Sequence, residues 1–365
     1  MAQAAQRAGF TPLVVDCFGD VDTRAAAGAV ETLPDALRRG FEANPLAVAL
    51  ERLCNLSGNS EQASDVPDLV LGPGFEDRPK LVEALGEKFK LAGCGSRSIE
   101  RSKDPNAFFG LLKDEGILHP ETVIERPAHA VGWLSKRTGG CGGRHIRRLK
   151  GKGAARRHRY YQRELKGETL SATAIASSHG TAFAFTQSWC NPYKWQPFRY
   201  GGSVSMDGLD ADLEARVIDT CLSLIKPLDL VGLVSFDFII DEAGDAFLVE
   251  VNPRPGASLD VLDDDEGTLF NAHMAACRGE DAVGVLAGSW KPRPTAAAYL
   301  YADNGPLRIR DIPWPDWVRD IPALGTEIAT GNPVATVVAQ AENAQEAAEI
   351  CRDRVARLSA VLYES

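Results

Sequence analysis

Hydrophobic positions along the chain switch repeatedly between helical and strand spacing. Residues 4–8 form a short helix pattern closed by Gly9, and Leu13-Val14-Val15-Asp16 follows as a buried strand. An α/β layer normally opens on a strand that feeds its first helix, so this chain opens one strand late, and residues ahead of Met1 are expected in the natural protein. Leu69-Val70-Leu71 predicts a further strand running into Gly72-Pro73-Gly74. Helices are predicted over 79–90 and 106–115, the second stopped by Gly116, and Trp133-Leu134-Ser135-Lys136 predicts another strand. From Gly139 to Arg163 the periodicity fades into a glycine-rich, basic stretch. Strands then resume, a helix covers 213–225, and two strands between Leu233 and Val251 form a hairpin. From about Pro292 a small α/β segment ends in a helix over 345–362.

Composition narrows this α/β picture. With 365 residues, 44% hydrophobic and 25% charged, the chain is long enough for two or three globular domains. It has no apolar run near the roughly 20 residues a bilayer requires, and Gln3, Gln6 and Arg7 do not make a leader, so a cytoplasmic protein without a membrane partner is expected. A net charge of −10 argues against a nucleic-acid partner for the whole molecule. The basic run from Arg144 through Arg147, Arg148, Lys150, Lys152, Arg156, Arg157, Arg159 and Arg163 is interleaved only by Tyr160 and Tyr161, which suits a solvated flap near a triphosphate better than RNA. Eight cysteines lie singly with no C-x-x-C pair, as reduced thiols do. No G-x-G-x-x-G follows a strand, so dinucleotide binding is unsupported.

The sharpest chemistry lies in the hairpin. If residues 242–245 form its turn, Asp241 pairs with Ala246, Asp237 stands opposite Glu250, and Ser235 opposite Asn252. Alternation then puts Val234, Phe236, Phe238, Ile240, Phe247, Val249 and Val251 on one face, and Asp237, Glu250 and Asn252 on the other. Two carboxylates and an amide oxygen on adjacent strands are hard ligands at a spacing that suits Mg²⁺ completed by phosphate oxygens. Arg254, just beyond Asn252-Pro253, adds a guanidinium suited to a phosphoryl group or a carboxylate. Upstream, Lys136 ends a strand ahead of Gly139-Gly140-Cys141-Gly142-Gly143, a flap whose backbone amides could approach phosphate oxygens. Walker spacing is absent. Tyr161 to Ala172 leaves a connector whose backbone could pair with an adenine edge.

The order of flap lysine and glycines, connector strand, then Asp, Glu, Asn and Arg hairpin resembles the ATP-grasp superfamily over about residues 10–285. In particular it resembles the carboxylate-amine ligases related to D-alanine ligase, carbamoyl-phosphate synthase and biotin carboxylase. That resemblance implies an ATP-grasp fold with a Rossmann-like pre-ATP-grasp domain at 1–97, a flap subdomain at 98–162, a catalytic subdomain at 163–285 and a small C-terminal α/β addition at 286–365. It implies that Lys136 and the flap glycines Gly142 and Gly143 hold phosphates, that Arg163, Glu164 and Leu165 bind adenine through their backbone, and that Glu168 or Thr169 faces the ribose. Asp237, Glu250 and Asn252 would carry two Mg²⁺, or Mn²⁺, and Arg254 and Lys136 would be catalytic. Another family lysine, which touches ATP, precedes a helix. Counting back from Gly116 puts Pro105 in its place, so Lys103 can substitute only through a rearranged loop. The implied activity is ATP-dependent amide formation through an acyl phosphate, from a small-molecule carboxylate and an amine, in a chain that could form a homodimer. The layout, including Phe198-Arg199-Tyr200-Gly201-Gly202, is most similar to ligases of one-carbon coenzyme assembly (methanofuran or tetrahydromethanopterin) such as tyramine-glutamate ligase. A nucleotide-binding protein of the same fold without turnover is the competing reading, and the displaced lysine is its support.

Overall fold

The computed structural model describes residues 1–57, 66–151, 153, 156–206, 208–290 and 292–364, so Lys152 of the basic run lies outside the described residues. An eight-stranded antiparallel sheet forms the centre. In spatial order it runs Ala246–Asn252, Gly232–Ile240, Glu168–Ser177, Gly180–Cys190, Tyr200–Ser205, Thr295–Tyr301, Pro333–Gln340 and Val318–Arg319. The segment beyond residue 286 therefore shares this sheet, through Thr295–Tyr301 beside Tyr200–Ser205. A four-stranded sheet ordered Thr122–Val123, Arg159–Arg163, Trp133–Arg137 and Arg147–Arg148 carries the flap.

Helices cover both faces of the central sheet. On one face Ala172, Ala174, Val234, Phe236 and Phe238 meet the helices Pro105–Asp114 and Ala211–Ile225 through Leu112, Val217 and Leu224. On the other, Ile175 and Leu233 meet the helix Thr268–Arg278. Phe236, Val217 and Leu224 are fully buried, and each such side chain contributes roughly 1.5–3 kcal/mol. The helices start where caps permit: Asp210 accepts from the amides of Asp212 and Leu213, and Asp104 accepts from Ala107 N ahead of Pro105. No helix among the described residues is long and apolar enough to cross a membrane.

The N-terminal region opens, as expected, on a helix, Ala2–Arg7, before the strand Leu13–Asp16, which pairs in parallel with Ala29–Thr32. Leu69-Val70-Leu71 makes only a bridge, Leu69 to Leu91, and no strand. An apolar cavity of about 950 Å³, lined by Val14, Leu46, Leu71, Phe75 and Phe270 among others, lies against the first strand and residues 69–71. The helix predicted to reach residue 90 ends at Gly86, because Lys90 O accepts from Leu69 N and Leu91 is drawn into that bridge.

The hairpin register is as expected where the chemistry lies: Asp237 pairs with Glu250 and Ser235 with Asn252. Its tip differs. Ile240, not Asp241, pairs with Ala246, and a bulge at Val249 absorbs the extra residue. Leu248 consequently enters the core beside Phe238, while Phe247 and Val249, expected on the core face, are only half-buried.

Candidate functional site

Strand alternation delivers the first group of polar side chains. With Phe236 and Val251 fixed in the core, Asp237, Glu250 and Asn252 must face the flap. Asp237 accepts hydrogen bonds from Ser171 Oγ at 2.7 Å and from Asn252 Nδ2 at 2.9 Å. Burial and the neighbouring Glu250 charge push the Asp237 carboxyl up from its ordinary pKa.

Lys103 reaches this group without a rearranged loop. It is the last residue of the helix Ser96–Lys103, one position before the Asp104 cap, and its Nζ donates to Glu250 Oε1 at 2.5 Å and to Asn252 Oδ1 at 2.9 Å. Burial would raise the Glu250 pKa, but the Lys103 ammonium and its hydrogen bond outweigh it and hold the carboxyl below its usual value. Lys136, buried at the end of its strand, has its pKa lowered by desolvation despite the nearby Glu250 and Asp237 charges.

Arg254 is held by a residue the sequence reading missed. Its Nε donates to Glu76 Oε1 at 2.8 Å, and Gly74 N donates to Glu76 Oε2 at 2.7 Å. Burial opposes charge on both partners, yet each keeps the other ionised, raising the Arg254 pKa and lowering that of Glu76. Glu76 sits just after the Gly72-Pro73-Gly74 turn, and that turn was its one legible signal. The Val249 bulge was also missed; it sets Val249 beside Glu250, Lys103, Arg137 and Tyr160 around a cavity of about 20 Å³. Ligand pockets usually measure about 300–1,000 Å³. With the flap in this position the cavity is too small for a nucleotide.

The flap lies shut on the protein itself. Gly139, at φ 65°, leaves no room for a Cβ against the backbone of Asp77, and Gly143, at φ 69°, would place one 1.7 Å from Phe198 O. Tyr200 N donates to Gly142 O at 3.1 Å, whereas a Cβ on Gly142 would meet open space. Arg199, fully buried, anchors the facing loop through Asp303, with bonds of 2.9 and 2.6 Å. His145 lies over Gly140 with its Nδ1 buried and, among the described residues, unpartnered.

The connector residues make contacts of their own. Arg163 N donates to Glu121 O and Glu164 N to Gly132 O, so these two amides serve the small sheet. The Arg163 guanidinium stacks on Trp133, and the Glu164 carboxylate pairs with Arg148 at 2.7 Å. Leu165 is half-buried, and Glu168 is exposed, 3.4 Å from Gln187 Nε2.

The hairpin donors fit a hard cation. They comprise two carboxylates and one amide oxygen, and among the described residues no group of three or more His, Cys, Asp or Glu could hold a metal ion. The protein would supply at most half of an octahedral shell, leaving positions for phosphate oxygens and water, as Mg²⁺ prefers. The Lys103 ammonium now bridges two of these oxygens, a cation already seated between the prospective ligands.

Comparison with known proteins bears on the fold. Residues 103–258 match the ATP-grasp domain family. The fold is shared with the biotin carboxylase domain of Hydrogenobacter thermophilus 2-oxoglutarate carboxylase in complex with MgADP and bicarbonate, at 13% identity and a TM-score of 0.67 over 96% of this chain and 85% of that one. It is shared with Staphylococcus aureus N5-carboxyaminoimidazole synthetase complexed with ADP, at 14% identity and 0.64 over 97% and 93%. The Bacillus licheniformis L-amino acid ligase matches at 12% identity and 0.69 over 96% and 92%. No curated protein sequence matches the chain.

Proposed function

We propose that this chain, whose residues 103–258 match the ATP-grasp domain family, is an ATP-dependent ligase that joins a small-molecule carboxylate to an amine through an acyl phosphate. The observation that carries this reading is the convergence of Lys103, Lys136 and the Glu76-held Arg254 on the Asp237, Glu250 and Asn252 face under one flap. Three cations and three carboxylates balance there, which suits an incoming triphosphate with its metal. When bound, Mg²⁺ or Mn²⁺ would neutralise the phosphate oxygens, with Asp237, Glu250 and Asn252 as its protein ligands. Lys103 and Lys136 then pair with phosphate oxygens in place of the carboxylates they face now.

Arg254, fixed by Glu76, orients the substrate carboxylate toward the γ-phosphorus. The carboxylate oxygen attacks in line and ADP leaves. The amine next attacks the acyl carbon, and inorganic phosphate departs with the bonding electron pair. The flap excludes water, which would otherwise hydrolyse the acyl phosphate. A nucleotide-binding role without turnover rested on Pro105 standing in the lysine's place, and with Lys103 in the site that ground lapses.

Among acid and amine pairs we favour those of one-carbon coenzyme assembly, such as methanofuran or tetrahydromethanopterin. Their support is layout alone, because the 198–202 loop spends Arg199 on Asp303. Purified protein with MgATP and a panel of acid and amine pairs tests the reading: ADP release should require an acid, and the amide should appear by mass. ADP release indifferent to every acid and amine would contradict it.

A further inference from the structure

We propose that His145 is the base that takes the proton from the amine as it attacks the acyl phosphate; this rests on the ligase reading. His145 belongs to the flap, and its ring lies over Gly140, where any Cβ would stand 2.4 Å from the ring carbon Cγ. Glycine at 140 is thus what makes room for the imidazole. Among the described residues its buried Nδ1 has no hydrogen-bond partner, a condition that few buried polar atoms tolerate without a role. The ring's interaction with the Cys141 backbone favours the protonated form, as donation to a carbonyl does. In the tautomer that carries its proton on Nε2, Nδ1 offers a bare lone pair. An acceptor of this kind asks for an N–H or O–H, and in the reaction above the attacking amine supplies one.

The surroundings suit that task. Burial holds the ring neutral, with its pKa lowered to about 4, while Glu250 raises its proton affinity and Lys136 and Arg137 lower it. The same two cations disfavour an ammonium nearby and favour the free amine. Anionic phosphate arriving in the site raises the proton affinity of the imidazole toward the range where a base is effective. The step balances: the amine nitrogen bonds to the acyl carbon, the carbon–oxygen bond to phosphate breaks with its electron pair on phosphate, and the amine proton moves to Nδ1.

The test separates the two half-reactions. His145→Ala should lower amide formation with an ordinary amine by about 10²–10⁴-fold, the usual contribution of a general base. Hydroxamate formation with hydroxylamine, a nucleophile strong enough to attack an acyl phosphate without base assistance, should fall no more than about threefold, and added imidazole should restore amide formation. An unchanged melting temperature establishes that the variant folds, and His145→Asn serves as a second variant. Parallel loss of amide and hydroxamate, or a wild-type amide rate in either variant, overturns the role of His145. Absence of hydroxamate from the wild-type protein with every acid overturns the acyl-phosphate reading instead.

Discussion

The 232–252 hairpin and the 139–145 flap both deliver residues to the site, and they are held by opposite means. The hairpin is fixed by side chains: Phe236, Phe238, Leu248 and Val251 are buried, and every chemical residue follows from alternation against them. The flap is fixed by missing side chains, with Gly139 and Gly143 letting backbone approach Asp77 and Phe198. A site built from a rigid wall and a detachable cover should lose fold through the first and gating through the second.

The largest effect should come from Phe236→Asp, which buries an unpaired charge in place of a fully buried ring and should cost more than about 4 kcal/mol, enough to unfold the domain. Glu250→Gln, on the other face of the same hairpin, should stay folded yet turn over at least about 100-fold more slowly. Circular dichroism and ADP release measure the two. A folded Phe236→Asp or a fully active Glu250→Gln breaks the division of faces.

Within the flap the contrast is between neighbours. Gly143→Ala should undock the cover and admit protease to the 139–151 segment, because its Cβ cannot coexist with Phe198 O. Gly142→Ala carries only the strain of φ 64° and should cost roughly 1 kcal/mol with the flap still docked. Equal cleavage of the two variants would mean that the flap is not held by this contact.

Acid should loosen the wall in its own pH window. His273 is fully buried, accepts from Leu233 N through Nδ1 at 2.9 Å and faces Ala92 O through Nε2 at 3.2 Å, so protonation would set a second donor against the Leu233 amide. Its pKa is lowered by burial from 6.5 to about 4. A depressed pKa contributes stability that is intact above the unfolded value and is lost as pH falls toward the folded one, here between about 6.5 and 4. The loss should approach roughly 3 kcal/mol. His273→Gln should flatten the melting temperature across that window. An unchanged slope would remove His273 as the cause.

The smallest effect is expected at the connector. Glu164→Ala breaks an ion pair with the exposed Arg148 and should change stability by less than about 1 kcal/mol. A loss of several kcal/mol in thermal denaturation would show that the connector is structural in a way its exposure denies.

What was legible in the sequence follows the same division. Strand alternation was enough to pair Asp237 with Glu250 and Ser235 with Asn252, since a one-residue slip would have put Phe236 in water. The Val249 bulge was hidden, because inserting one residue into a strand leaves no composition mark. Lys103 was misjudged by counting in sequence from Gly116, whereas its reach depends on where the helix Ser96–Lys103 ends against Glu250. Glu76 and His145 were missed for a related reason: each matters through a contact with a residue far away or through a neighbour's missing Cβ, and neither leaves a periodic signal. The Gly142 and Gly143 pair read as a phosphate cradle, and Gly143 is spent on Phe198.

The acyl phosphate is tested most directly by the fate of one oxygen atom. With a substrate acid whose carboxylate carries oxygen-18, MgATP and the amine, attack of that carboxylate on the γ-phosphate and its later displacement should leave one labelled oxygen in each inorganic phosphate released. Phosphate free of label, with amide and ADP formed in equal amounts, would contradict the account.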